Sequence, residues 1–188
     1  MKITTYKRGT IEYVPFSFQQ ELLNLLKAGK KIQLESDRQM GVSTSLMNHI
    51  ITKCNETQNY NCIILYPSLN SASDWCKTYK FSAESVSEVR AKKYEIGFVK
   101  TNSNIKFVSA AENHRGRRYD RDIFVEYMKY IDPNKFDKFL EAVSNKDQIK
   151  FYSCPTDVQS DFVQLRWERH LIDDVINQNI AKLLFGTK

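Results

Sequence analysis

The sequence predicts an α/β fold in which a largely parallel sheet is covered by helices. Short strand-like segments alternate with amphipathic helical segments along most of the 188 residues, which is the pattern of parallel sheets with helical crossovers. The segment "NCIILYP" is a nearly continuous apolar run, typical of a strand that is buried on both faces. No internal repeat, low-complexity stretch or linker interrupts the chain, so we predict one domain over residues 1–188.

The first half of the chain predicts three helices and four strands after an irregular or strand-like lead-in over residues 1–14. Ser17 is expected to cap the first helix, with Gln20 completing a capping box and Gly29 ending the helix. The predicted segments are helix "PFSFQQELLNLLKAGK", strand "KKIQLES", helix "TSLMNHIITKCNE", strand "NCIILYP", helix "SASDWCKTYKF" and two strands around the polar turn of "IGFVKTNSNIKFVSA".

The second half opens on a basic loop, "ENHRGRRYD", and continues with two strands and two helices. The strand "DIFVEY" precedes the helix "DPNKFDKFLEAVSN", in which Asp132 is the expected cap and Pro133 lies in the first turn. The strand "QIKFYSCP" follows and is halted by Pro155. Apolar residues at helical spacing predict a C-terminal helix over residues 158–186. The strands "KIQLE", "CIILY", "DIFVE" and "IKFYS" are expected to lie side by side.

The composition is that of a soluble globular protein, with 41% hydrophobic and 27% charged residues. No run of 18 apolar residues and no apolar signal core is present, so we expect a cytoplasmic protein with no membrane partner. The four cysteines form no CxxC pair and have no histidine at metal-ligand spacing, so no zinc site is predicted. The formal net charge of +6 permits an acidic partner such as DNA or a nucleotide without requiring one.

The segment "ESDRQMGVSTSL" joins a predicted strand to a predicted helix. Such a junction is an anion site, because free backbone N–H groups and the positive end of the helix dipole face the ligand. Gly41 permits close approach of a phosphate, Ser43 and Thr44 supply hydroxyls, and Arg38 supplies a cation. A GxxxxGK[ST] loop has a lysine after its second glycine, and that position is Val42 here. The segment alone leaves an ordinary strand–turn–helix connection as the alternative.

Taken in order, five short motifs resemble those of the N-terminal ATPase domain of tailed-phage large terminases, the motors that package viral DNA. "PFSFQQELL" corresponds to their aromatic-Gln adenine motif, and "DRQMGVST" corresponds to phosphate loops often written "SRQxGKTT". "CIILYPSLNSASDW" matches the next strand and a Ser/Ala-rich helix start. Arg115-Gly116 leads into "DIFVEY", in the place of the acidic Walker B strand, and "KFYSCPT" matches a Ser/Thr–Thr–Pro coupling motif. The resemblance covers residues 14–170 and implies a P-loop NTPase-like three-layer sandwich.

The resemblance also implies roles for individual residues, with ATP and magnesium as cofactors and DNA or another packaging-motor protein as partner. The implied nucleotide-binding residues are Phe18, Gln19, Arg38, Gln39, Gly41, Val42, Ser43 and Thr44. The implied catalytic residues are Glu126 and Arg38, the magnesium ligands Ser43 and Glu126, and the coupling residues Ser153, Cys154 and Pro155. The three arginines of the basic loop, Arg115, Arg117 and Arg118, are expected to form an exposed cluster near the nucleotide end of the sheet, and they are either phosphate or DNA contacts or part of a solvated loop.

The sequence departs from the family pattern at residues that would carry out ATP hydrolysis. Val42 cannot neutralise the β- and γ-phosphates as the loop lysine does, so Arg38 would have to substitute for it. A Walker B strand normally ends in two adjacent carboxylates. Counting from the basic loop without a gap gives Val125 and Glu126, and sliding by one gives Glu126 and Tyr127, so one acid of two remains. The chain ends about where the family's ATPase domain ends, so we expect no nuclease domain and no nuclease activity.

Three hypotheses are compatible with these features. The first is a terminase-like protein with degraded hydrolytic machinery that binds nucleotide weakly, binds DNA, or regulates a packaging motor. The second is an active packaging ATPase subunit with a deviant phosphate loop. The third is a protein-interaction module that uses the fold only as a scaffold. Nucleotide binding separates the third hypothesis from the others, and ATP turnover separates the first two.

Overall fold

The computed structural model describes residues 2–5, 9–36, 41–127, 130–155 and 178–179, with side chains for 13–34, 41–127 and 130–153. Strands and helices alternate over most of this range, as the sequence predicts. The elements are β1 (Lys2–Thr5), β2 (Gly9–Glu12), α1 (Ser17–Lys27), β3 (Ile32–Ser36), α2 (Val42–Glu56), β4 (Asn61–Tyr66), α3 (Leu69–Glu84), β5 (Val89–Lys92), β6 (Glu95–Phe98), β7 (Ser103–Ser109), β8 (Asp122–Val125), α4 (Pro133–Glu141), β9 (Ile149–Pro155) and β10 (Gln178–Asn179).

Eight of the described strands form one sheet in the order β10-β3-β9-β8-β4-β7-β6-β5. All pairs from β10 to β7 are parallel, and the β7-β6 and β6-β5 pairs are antiparallel. The four strands that were expected to be neighbours are adjacent as β3-β9-β8-β4, which confirms the predicted mostly parallel sheet. The first two strands, β1 and β2, form a separate antiparallel hairpin.

Helices cover both faces of the sheet, which makes the fold a three-layer α/β sandwich. Strand β4 shows why, because its side chains alternate between two hydrophobic cores. Ile64 and Tyr66 pack into a core with side chains of α1, α2 and α3. Ile63 and Leu65 pack on the other face with side chains of α4. Each face of β4 is therefore buried, which is why the strand is apolar at almost every position.

Two details differ from the sequence-based expectations. Phe16, not Ser17, is the N-cap of α1, and Gln19 is the residue whose side chain accepts a hydrogen bond from the Phe16 N–H, at 3.1 Å. Gln20 instead donates to Asn24 on the exposed side of the helix, at 3.0 Å. The predicted C-terminal helix over 158–186 is wrong at Gln178–Asn179, which is a strand paired with β3. The rest of that segment lies outside the described residues.

Candidate functional site

The candidate site lies at the edge of the sheet where four neighbouring parallel strands end. The carboxyl ends of β3, β9, β8 and β4 share this edge because the strands are parallel and adjacent. Helix α2 begins at the same edge, after the connection from β3. Open α/β sheets place their ligands outside the carboxyl ends of the strands. The topology therefore places a candidate ligand site at the residues around the start of α2.

Gly41 is the N-cap of α2 and adopts a left-handed conformation, with φ +73°. A side chain at this position would be strained, and its Cβ would also collide with the side-chain amide nitrogen of Gln19. The Gly41 carbonyl accepts hydrogen bonds from the Ser45 N–H at 2.9 Å and the Ser45 hydroxyl at 3.0 Å. The prediction that Gly41–Ser43 lie at a strand-to-helix turn is confirmed. Arg38 and Gln39 lie outside the described residues.

The three residues after Gly41 form the first turn of α2. Val42 is buried in the hydrophobic core beneath the helix, with 8% of its surface exposed. Ser43 and Thr44 are half-buried, and the Thr44 carbonyl accepts a hydrogen bond from the Asn48 side chain at 3.2 Å. The position where a phosphate loop carries its lysine therefore holds an aliphatic side chain that belongs to the core.

Glu126 lies immediately after β8 and is completely buried. Ser43 donates its hydroxyl hydrogen to one carboxylate oxygen, Oε2. Tyr66, the last residue of β4, donates its hydroxyl hydrogen to the other, Oε1, at 3.1 Å. Burial raises the pKa of Glu126 to about 7, and the hydrogen bonds from Ser43 and Tyr66 oppose this rise. A single carboxyl that changes its charge near neutral pH thus contacts the first turn of α2.

Tyr127 completes the cluster. It is one of three described non-glycine residues with a positive φ, at +57°, a conformation that costs about 1–3 kcal/mol and clusters at functional sites. Its hydroxyl lies 3.3 Å from the Ser43 hydroxyl, and its backbone N–H donates to the Ser153 hydroxyl at 3.2 Å. Its ring centroid is 6.4 Å from those of Tyr66 and Trp75. The ring is therefore held against the start of α2 from several sides.

The end of β9 carries the three residues with an implied coupling role. Ser153 is buried and contacts the backbone of Tyr127, so it links β9 to the cluster around Glu126. Cys154 and Pro155 continue strand β9, where they pair with Glu35 and Ser36 of β3. Their side chains lie outside the described range. Of the three residues with an implied coupling role, Ser153 is thus the one that the structure brings to the cluster.

Asp122 cannot supply a second carboxylate to this cluster. It is the first residue of β8, whereas Glu126 follows the last. Its carboxylate accepts hydrogen bonds from the Lys53 ammonium at 3.2 Å and from the Tyr60 hydroxyl at 3.0 Å. Asp122 and Glu126 therefore lie at opposite ends of β8.

The residues with an implied role in adenine recognition divide into a core residue and a site residue. Phe18 is buried in the core with α2, and the exposed aromatic ring of this segment is Phe16, with 70% of its surface accessible. Gln19 is buried beside Gly41 and accepts a hydrogen bond from the Tyr13 hydroxyl at 3.1 Å. The Tyr13 hydroxyl also lies 2.8 Å from the Ser45 hydroxyl. Gln19 is thus part of a network that buttresses the turn.

The arginines of the basic loop are exposed, as expected, but two of them have partners. Arg117 forms an ion pair with Glu112 at 2.8 Å. Arg118 donates to the Ser144 hydroxyl at 2.9 Å. Arg118 lies shortly before β8 and Ser144 lies shortly before β9, so this contact is at the amino ends of the two strands. The expected position near the nucleotide end of the sheet is therefore wrong for Arg118, because Glu126 lies where β8 ends. Arg115 is exposed beside Gly116.

Tyr66 is a site residue that no sequence motif singles out, although it lies within the segment "CIILYPSLNSASDW". Its position as the last residue of a buried strand could have indicated it, because the carboxyl ends of parallel strands meet at one edge of the sheet.

A separate cavity of about 690 Å³ lies between α1 and the second half of α2 and is lined by none of the predicted site residues. Within the described ranges, no group of three acidic, histidine or cysteine side chains is arranged to hold a metal ion. No helix among the described elements is long and apolar enough to cross a membrane.

No protein-family model and no curated protein matches the sequence, but solved structures share the fold. They include the ATPase domain of the large terminase of Thermus phage P74-26, with a TM-score of 0.55 at 14% sequence identity, over 81% of this chain and 74% of that chain. An arginine-to-alanine variant of that domain gives a TM-score of 0.61 at 14% identity, over 81% of this chain and 69% of that chain. The chain therefore has the fold of the ATPase domain of a phage large terminase.

Proposed function

We propose that this chain is a terminase-like nucleotide-binding protein of phage origin that binds ATP weakly and hydrolyses it very slowly or not at all. The observation that carries the proposal is the contact between Ser43, in the first turn of α2, and the buried carboxylate of Glu126. In P-loop NTPases a loop Ser/Thr and a Walker B acid hold the same magnesium ion. The contact joins the two residues that such a site requires.

The local geometry supports phosphate binding at the start of α2. The first N–H groups of a helix have no intrahelical partner and carry the positive end of the dipole, so they attract an anion. The left-handed Gly41 brings the chain into α2 without a side chain over the turn. Arg38 and Gln39 precede this turn in the sequence and would add their side chains to the nucleotide contacts.

The donor set fits magnesium by residue type. Ser43 would supply a hydroxyl and Glu126 a carboxylate, and the ion would neutralise charge on the phosphates. The contact with Ser43 also favours one of the two alignments of the acidic pair. Glu126 then takes the place of the metal-binding acid, and Tyr127 takes the place of the acid that positions the attacking water.

Two departures support the loss of hydrolysis. Val42 stands in place of the lysine that stabilises charge on the phosphates, and its side chain packs in the hydrophobic core. Tyr127 replaces the second acid. Loss of one preorganised charge-stabilising group costs roughly a hundred- to a thousand-fold in rate. Because both groups are missing, turnover should lie close to the uncatalysed background.

A role in viral DNA packaging, in the cytoplasm of an infected host cell, belongs to the same proposal. The net charge of +6 and the exposed arginines of the basic loop would favour contact with the DNA backbone. A protein that retains the fold without hydrolysis would act on DNA or on another packaging-motor protein as a regulator, not as a source of force.

Calorimetric titration of ATP with magnesium into the wild-type chain and three variants tests the proposal. We expect weak binding by the wild type and no measurable binding by Ser43→Ala. Val42→Lys should bind more tightly, because a long side chain at the first turn can carry its ammonium out of the core towards the phosphates. Val42→Met is the matched control for size and should bind like the wild type. The absence of any nucleotide binding, with or without magnesium, by both the wild type and Val42→Lys would refute the proposal.

A further inference from the structure

We infer that Tyr127 blocks the position beside Ser43 that a magnesium-bound triphosphate requires, so that the site prefers a nucleoside diphosphate without magnesium. The inference rests on the proposed function and specifies its ligand. Tyr127 stands in the place of the second acid of an acidic pair, and its hydroxyl also contacts the Ser43 hydroxyl at the start of α2.

The distance between the two hydroxyl groups carries the argument. Ligand oxygens lie about 2.0–2.1 Å from magnesium in an octahedron, so adjacent ligands are about 3 Å apart. The Tyr127 hydroxyl lies 3.3 Å from the Ser43 hydroxyl, close to that spacing. With magnesium on Ser43, the phenol would stand where a phosphate oxygen or a water should bind. An uncharged phenol hydroxyl is a poor substitute for a charged phosphate oxygen.

The ring cannot move aside without breaking other contacts. The left-handed backbone at Tyr127 sets the direction of the side chain, and the bond from its N–H to Ser153 holds that backbone on β9. The rings of Tyr66 and Trp75 flank the phenol at 6.4 Å between centroids. Tyr66 is itself fixed by its hydrogen bond to Glu126. Displacement of Tyr127 therefore disturbs a packed aromatic group.

A diphosphate avoids this conflict. In a phosphate loop the backbone N–H groups cradle the α- and β-phosphates, whereas magnesium bridges the β- and γ-phosphates. The first N–H groups of α2 have no intrahelical partner, and the contact of Tyr127 in this turn is with the Ser43 hydroxyl, not with a backbone N–H. The obstruction therefore acts on magnesium and the γ-phosphate and leaves the diphosphate contacts intact.

Calorimetric titrations of ADP and ATP, each with magnesium and with EDTA, test the inference on the full chain. The wild type should bind ADP more tightly than ATP with magnesium, and EDTA should not weaken ADP binding. If the ring vacates the site in about a tenth of the molecules, Tyr127→Ala should raise the affinity for ATP with magnesium about tenfold. Its affinity for ADP should stay the same. Tyr127→Phe, which keeps the packing and removes the hydroxyl, should give a smaller increase.

Tyr130→Ala is the matched control, because Tyr130 lies three residues further along and has 49% of its surface exposed. It should bind both nucleotides like the wild type. Tighter binding of ATP with magnesium than of ADP by the wild type, unchanged in Tyr127→Ala and Tyr127→Phe, would overturn the inference and leave the proposed function standing. No binding of either nucleotide by the wild type or by any variant would overturn both.

Discussion

Replacement of Glu126 by Gln should stabilise the protein, and the stabilisation should grow with pH. Glu126 is completely buried, and burial raises its pKa from the ordinary 4.5 to about 7. Glutamine keeps the size of the side chain and cannot ionise. The variant therefore removes the cost of holding a charged carboxylate between Ser43 and Tyr66, while the hydroxyl groups of those residues can still bond to an amide.

The sign and size of the effect come from proton linkage. Below pH 4.5 the carboxyl group is protonated in both the folded and the unfolded protein, so it contributes no pH dependence. Between pH 4.5 and about 7 the folded protein keeps a proton that the unfolded chain has lost. The free energy of unfolding then falls by about 1.4 kcal/mol per pH unit as the pH rises. Above pH 7 the free energy of unfolding no longer changes with pH, and its total decrease is about 3 kcal/mol.

Urea unfolding at pH 5 and pH 8, in EDTA, measures this difference for the wild type and Glu126→Gln. The stability advantage of the variant should be small at pH 5 and should increase by about 2–3 kcal/mol at pH 8. Glu84→Gln, at an exposed glutamate of α3, is the control and should show no such increase. An advantage of Glu126→Gln that stays constant between the two pH values would refute the assignment of a buried, protonated carboxyl to this position.

Two further substitutions test the turn and the basic loop. Gly41→Ala should lower the free energy of unfolding by about 1–3 kcal/mol, because it places a side chain at φ +73° and forces the Gln19 amide to move; chemical denaturation measures the loss. Arg117→Ala combined with Arg118→Ala should weaken binding to duplex DNA at low salt and flatten the slope of log affinity against log salt by up to about 2; fluorescence anisotropy at several salt concentrations measures the slope.

Each substitution has a matched control within the chain. Gly29 also has a positive φ, +70°, but no atom lies within 4 Å of the Cβ that alanine would add. Gly29→Ala should therefore cost less than Gly41→Ala, and an equal cost would count against the Gln19 contact. Lys93→Ala with Lys100→Ala removes the same charge from exposed positions. If this pair weakens DNA binding as much as the arginine pair does, the basic loop is not a specific DNA contact.

Much of the sheet could be predicted because its strands are buried on both faces. The side chains of β4 reach two cores, so the strand reads as an apolar run, and β8 and β9 also place side chains in both cores. In β3, Ile32 and Leu34 pack in the first core and alternate with polar residues. The strand β5 could not be found, because "VRAK" lies at the edge of the sheet with Arg90, Ala91 and Lys92 exposed. An edge strand needs no apolar pattern and carries charges that discourage pairing with other chains.

The turn at Gly41 could be predicted from its place between a strand and a helix, but its surroundings could not. Tyr66, Ser43 and Glu126 are far apart in sequence and meet only because β4 and β8 are neighbours and α2 starts at their edge. The sequence has Val42 at the position where a GxxxxGK[ST] loop carries its lysine. The structure adds that this side chain packs in the core and that Tyr127 faces Ser43 in a left-handed conformation.

Steady-state hydrolysis of ATP with magnesium by the purified wild-type chain tests the central claim most directly. On the proposed function, Val42 and Tyr127 each stand in place of a charge-stabilising group. Each such group is worth roughly a hundred- to a thousand-fold in rate, so the measured rate should be indistinguishable from the background without protein. A steady rate that both Arg38→Ala and Glu126→Gln abolish would contradict the claim. It would mean that Arg38 replaces the missing lysine and that the site is a working ATPase.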